Sequence, residues 1–221
     1  MSDATTPAQP SATAGSDETV PADANDVIEL HRRTIDKILV SFGALTTVVF
    51  LVAGGLLLWG ANFSADYVHR ELGSQNVFFP SAEELKAEGR DDLVGHAGQQ
   101  VTTGAQAEAY ASYIGGHLEG IADGKTYSEI DDRGAAAAVQ KAIDSGASDE
   151  EVAKLQATAD QLKAQRDTLF KGETLRGLLL SSYAWSTVGR IAGYAAIAAF
   201  AAAVAMGALT IAGLVHLRRR S

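Results

Sequence analysis

Three histidines, His69, His96 and His117, stand between the two most apolar stretches of this chain. Two imidazoles and a carboxylate could together hold a metal ion with positions left open. The spacing works against such a set: the histidines are 27 and 21 residues apart, with no His-x-His or His-x-x-x-His pair. His69 adjoins Arg70 and Glu71 and reads as a solvated side chain. His117 falls on an apolar helical face, where a packing role is expected. His96, in the stretch Gly95–Gly98, is the best ligand candidate of the three. The paired acids Asp91–Asp92 and Asp131–Asp132 are adjacent in sequence, and adjacent residues on a helix face apart. They read as surface or helix-start charges rather than an acid/base pair.

Other chemistries are excluded more firmly. The chain has no cysteine, so disulfides, thiolate metal centres and thiol catalysis are ruled out. It contains no GxSxG nucleophile elbow, no GxxxxGK[ST] phosphate loop, no HExxH pair and no twelve-residue EF-hand loop. A formal net charge of -9 argues against nucleic acid, whose phosphates require clustered Lys and Arg. The residues therefore predict no catalytic site, no metal and no cofactor.

The elements that would have to position any site are dominated by two uncharged runs, 38–60 (ILVSFGALTTVVFLVAGGLLLWG) and 191–215 (IAGYAAIAAFAAAVAMGALTIAGLV). Each exceeds the roughly 20 residues that carry an α-helix across a bilayer. The first is preceded by a polar, acidic stretch instead of a basic start and cleavage site, so it reads as a retained anchor. His31, Arg32, Arg33 and Lys37 precede the first run, and Arg218, Arg219 and Arg220 follow the second. By the positive-inside rule both termini are expected in the cytoplasm of a plasma-membrane protein, with residues 61–190 outside. Arg190, at the outer end of the second run, would snorkel to the headgroups. Neither run holds an ionisable residue, which weakens a transport reading.

The second run is rich in small residues. Ala195, Ala199, Ala203 and Gly207 recur at every fourth position, and Gly189 and Gly193 form a GxxxG. This predicts a helix-packing face that lets another backbone approach closely in lipid. Trp59, Tyr183 and Trp185 suit an interfacial aromatic belt.

Between the runs, Ser81/Glu84, Thr103/Gln106, Thr126/Glu129 and Ser148/Glu151 each fit the capping box that opens a helix. Strand alternation is nearly absent. The reading is helices near 82–93, 104–122, 127–145 and 149–171, with Gly124, Gly146 and Gly172 at helix ends. The spans extend outward, the first to about Leu72. Val152, Leu155, Ala159, Leu162, Arg166 and Leu169 follow a near-heptad, a coiled-coil-like face that invites a neighbouring helix. The expected fold is an all-α membrane protein: an antiparallel hairpin of two transmembrane helices extended outward, with a small helical extracytoplasmic domain inserted between them. Its segments are a disordered acidic tail (1–26), with a helix starting at Asn25 or Asp26, a juxtamembrane stretch (27–37), the spans 38–60 and 191–215, the outer domain 61–190, and a basic C-terminus (216–221).

The segments AGQQVTTGAQAEAYASYIGGHL (97–118), GKTYSEI (124–130) and FKGETLRGLLLSSYAWSTVGRIA (170–192), with LLLWGANF (56–63), resemble a family of actinobacterial two-span membrane proteins of unassigned function. The resemblance covers most of the chain after residue 38. Many members carry the label "aromatic ring-opening dioxygenase LigA", which implies non-haem iron on two histidines and a carboxylate. The residues themselves favour a different expectation: a non-catalytic accessory or scaffold component in the bilayer, associating with other membrane or envelope proteins or with itself. A homo-oligomeric envelope sensor is the third reading.

Overall fold

A computed structural model describes the backbone of residues 23–219 and the side chains of residues 34–219. The expected tail, as far as residue 22, lies outside the described residues, as do Arg220 and the side chains of His31, Arg32 and Arg33. Among the described residues the structure is helical, with one isolated antiparallel bridge between Phe78 and Gln100. In chain order the helices are α1 (Asp23–Ser74), α2 (Ala82–Ala87), α3 (Gly104–Glu119), α4 (Asp132–Asp144) and α5 (Asp149–Arg219). A 3-10 turn, Asp91–His96, lies between α2 and α3. Two of these helices, α1 and α5, are long and apolar enough to cross a membrane, and only 11% of the most apolar window of each is buried. The core helix of a soluble protein covers such a window with its own chain; these windows are bare.

The chain divides into two compact units, residues 1–47 with 204–221, and residues 48–203. In the first, glycines of one helix receive side chains of the other. A Cβ placed on Gly43 would come 2.6 Å from Thr210 Oγ1, one on Gly207 3.6 Å from Thr47 Cγ2, and one on Gly213 2.9 Å from Val40 Cγ2. The Thr47 and Thr210 hydroxyls donate to the Gly43 and Met206 carbonyls of their own helices, each at 2.8 Å. Each threonine thus satisfies its hydroxyl within its own helix, Thr47 turning its methyl toward Gly207 and Thr210 its hydroxyl toward Gly43.

In the second unit α1 and α5 pack in the same way and carry the remaining helices. One core gathers Val68 and Leu72 of α1, Leu179 of α5, Ala107 and Ala111 of α3, and Phe79 and Val101 from the connecting segments. A second gathers Leu118, Ala122, Ile130 and Leu169. The segment 77–101 closes on itself through Phe79 N–H to Gln99 O and Val101 N–H to Val77 O, both 2.9 Å. α3 lies close because its packing face is small: Gly104 is tight against the Ser186 side chain and Tyr183 backbone, and Gly115 meets the Arg176 guanidinium.

Several boundaries differ from the sequence reading. α1 starts at Asp23, ahead of Asn25, and runs to Ser74, where Asn76 turns the chain with φ 55°. The expected helix 82–93 stops at Ala87, because Gly89 adopts φ 71° and the chain restarts as a 3-10 turn. The expected start at 127 moves to Asp132. Thr126 and Glu129 do pair, with Thr126 N–H donating to Glu129 Oε2 at 2.7 Å, but they close a turn, and Asp131 caps the helix through Gly134 N–H at 2.8 Å. Gly146 ends α4 at φ 71°; Gly124, at φ 77°, closes a turn five residues beyond the end of α3, and Gly172 ends nothing, because α5 runs through it without a break. Gly172 is instead a close contact, with the Leu118 side chain filling the space its own would occupy.

Candidate functional site

Two long helices with little apolar surface covered make their faces the natural place to seek function. On α5 the buried positions Gly189, Ala196 and Ala203 are seven residues apart. On α1 Gly54, Ala61 and Val68 share that spacing, which keeps one seam facing a partner helix. A Cβ on Gly189 would come 2.9 Å from the Ser64 side chain, one on Gly193 3.7 Å from Ala61 Cβ, and one on Gly54 3.0 Å from the Phe200 ring. Ser64, almost fully buried, donates its hydroxyl to the Trp185 carbonyl at 2.7 Å and ties the two helices.

The predicted packing residues divide between two environments. Gly189 and Gly193 lie against α1, Ala203 is 2% exposed, and Gly207 meets Thr47. Ala195 and Ala199 are half-buried, at the margin of the seam. A strict four-residue step drifts about 40° per step around a helix of 3.6 residues per turn, so a four-step line leaves a straight seam. The sequence reading did not single out Ala196, Gly43 or Gly54; the seven-residue spacing from Gly189 to Ala203 is the signal that finds Ala196.

Beside the seam, α1 and α5 enclose an open groove of about 380 Å³, lined among others by Tyr67, Glu71, Gln75, Leu178, Ser182 and Trp185. Its floor is the buried core residues Val68, Leu72 and Leu179. Its walls are bare: Leu178 is 64% and Trp185 57% exposed. Along α1 the rings of Trp59, Phe63 and Tyr67 stack at 5.6 and 6.1 Å between centroids and are all exposed. A separate apolar patch pairs Tyr127 with Phe170, ring edge to face at 5.7 Å.

The polar residues of this unit are engaged in holding its turns. Glu84 accepts the Ser81 N–H at 2.8 Å, and that bond holds its carboxyl below the usual range. Glu129 is lowered in the same way by the Thr126 N–H, and Asp92 by its hydrogen bonds to Arg90, whose own pKa is raised. Arg90 also donates to the Ser112 carbonyl at 3.1 Å, fastening the 3-10 turn to α3. Asp132 pairs with Arg166 at 3.2 Å, which explains a charged residue within the α5 near-heptad.

The histidines stand in three settings. His96 stacks on Phe79 at 5.1 Å; His117 has Nδ1 3.1 Å from the Tyr113 carbonyl and Nε2 3.7 Å from Glu88; His69 is exposed. Since a carbonyl only accepts, His117 Nδ1 carries the proton in that contact. Among the described residues no three or more His, Asp or Glu side chains form a group able to hold a metal ion. No protein-family model, no curated protein and no solved structure matches this chain.

Proposed function

We propose that this chain is a non-catalytic plasma-membrane protein, an accessory or scaffold component that binds other membrane or envelope proteins. In this reading α1 and α5 cross the bilayer as an antiparallel hairpin, both termini are cytoplasmic, and residues 61–190 form the extracytoplasmic helical domain. Contacts in each unit support the antiparallel sense, since partner numbers on α5 fall as those on α1 rise: Val40 with Gly213 and Thr47 with Gly207, then Gly54 with Phe200 and Ser64 with Gly189. In this reading one slab of hydrocarbon covers both runs, 38–60 and 191–215, which are of similar length.

The observation that carries the docking role is apolar surface left bare beyond that slab. Counting from Gly60, Tyr67 to Gln75 stand roughly 10–22 Å farther along the helix at 1.5 Å per residue, out of reach of lipid tails. Leu178, Leu175 and the Tyr127–Phe170 patch are nonetheless exposed there. Bare apolar patches on an otherwise polar domain mark protein contact sites.

Affinity purification of the tagged chain in mild detergent, with mass spectrometry and metal analysis on the same sample, tests this. Stoichiometric co-purification of membrane proteins, lost on Phe170→Glu with Tyr127→Ser, is the expected result. A lone chain carrying about one iron would overturn it in favour of the oxygenase.

A further inference from the structure

Both ring nitrogens of His117 face acceptors. Nδ1 stands 3.1 Å from the Tyr113 carbonyl, one turn earlier on α3, and Nε2 stands 3.7 Å from Glu88 Oε1 at the end of α2. A neutral imidazole has one N–H, and the closer carbonyl claims it, so Nε2 then turns a lone pair toward the carboxylate. Two acceptors facing each other repel. A second proton, placed on Nε2, turns the same contact into an ion pair with Glu88. His117 also lies in the last turn of α3, where the free helix carbonyls favour a positive charge. Both side chains are partly solvated, so a proton reaches them without any opening of the fold.

The other charged groups around this contact are already engaged. On α2, Glu84 accepts the Ser81 N–H at 2.8 Å. From the start of the 3-10 turn, Arg90 reaches α3 at Gly116 but is held by Asp92 and by the Ser112 carbonyl and hydroxyl. From α5, Arg176 meets Gly115 and pairs with Glu173. On α3 itself the Tyr113 phenol stands 3.5 Å from the same Glu88 oxygen, and burial keeps it protonated well into the alkaline range. Among the groups named here, histidine is the one type that gains or loses its charge between about pH 5 and 8.

We propose that His117 and Glu88 form a proton-operated clasp, which ties the end of α2 to the end of α3 in acid and lets go as the pH rises. The permanent fastening of the same segment is Arg90 on Ser112, so release of the clasp loosens α2 and the 3-10 turn without freeing them. The sense follows from linkage. A cation that gains a partner on folding lends stability that is present in acid and lost as the imidazole gives up its proton. An exposed ion pair shifts an equilibrium about twofold to fivefold, which makes the clasp a graded adjustment rather than an all-or-none change. It stands on these contacts alone, on whichever side of a membrane the segment lies.

Hydrogen exchange of the full-length chain in detergent, corrected for the intrinsic pH dependence of amide exchange, tests this. The probes are the Glu88 and Arg90 amides, which donate to the Glu84 and Leu85 carbonyls at 3.0 and 2.8 Å. Their opening should be about twofold to fivefold rarer near pH 5.5 than near pH 8. Glu88→Gln and His117→Asn should each abolish that difference. His117→Lys, a permanent cation at the same place, should keep exchange slow at both pH values. The amides of α4, which has no such contact, serve as the control and should show no difference in any of these chains. Equal protection at both pH values in the unaltered chain overturns the clasp. So does a difference that persists in Glu88→Gln, or exchange in His117→Lys that quickens near pH 8.

Discussion

Tyr113 on α3 shows how a single side chain of the short helices is tuned. Burial, first, and the nearby Glu88 carboxylate, second, push its phenol up to about 12. Unfolded, the same phenol ionises near 10. Between roughly pH 10 and 12 the folded chain therefore keeps a proton that the unfolded chain has released, and stability falls as pH rises through that window. Tyr113→Phe should flatten this alkaline loss, seen as a smaller drop in thermal midpoint between pH 9 and 11 by circular dichroism in detergent. For Glu84, Asp92 and Glu129 the sign reverses, because their folded pKa values are lowered: the stability they lend is present above the ordinary carboxylate pKa and is lost as pH falls through the folded values. Leu85, on α2, is the opposite kind of residue, fully buried. Leu85→Ala should cost about 2–5 kcal/mol, the range for a leucine truncated in a well-packed core, measured by denaturant unfolding of the short helices.

At the scale of elements, local signals were legible where the chain decides locally. Ser81 with Glu84 and Thr103 with Gln106 form complete capping boxes where the spacing predicts them. Thr103→Ala should lose about 1 kcal/mol by removing the Gln106 N–H acceptor, and Thr103→Ser should retain most of it. The Thr126 box misled because its hydrogen bonds satisfy a turn as well as a helix start, and Asp131 five residues later competes for the cap. Gly172 misled for a different reason. Glycine suits a helix end by its backbone freedom, but also suits a helix middle where a neighbour must come close, and only tertiary structure distinguishes the two. Its close packing on Leu118 implies that Gly172→Leu forces α3 off α5, whereas the exposed Gly177 tolerates the same change. The seam was half legible. Small residues on α5 announced a packing face, but the seven-residue spacing that selects Ala196 over Ala195 is enforced by a partner helix whose own glycines, Gly43 and Gly54, carry no such local signature.

At the scale of the whole molecule, the orientation proposed above rests on the distribution of polarity rather than on any one contact. Lys37 and Arg219 belong to the chain ends of α1 and α5, whereas acids and turns dominate the stretch between the apolar runs. Moving residues 61–190 across a membrane carries an acidic segment outward and leaves the basic flanks behind, the direction favoured by the positive-inside rule. The proposal therefore has a consequence at a named bond. Lys125 follows Gly124, whose φ of 77° ends a turn beyond α3, and it is exposed on a stretch without regular structure. Trypsin acts on such exposed, non-helical backbone before it cuts within helices. Added to intact spheroplasts, it should cleave after Lys125 and leave an N-terminal tag protected until the membrane is opened. Early loss of that tag with Lys125 intact would place the acidic segment inside. The apolar runs would then still span the bilayer, but the partners sought for the Tyr127–Phe170 patch would have to be cytoplasmic ones.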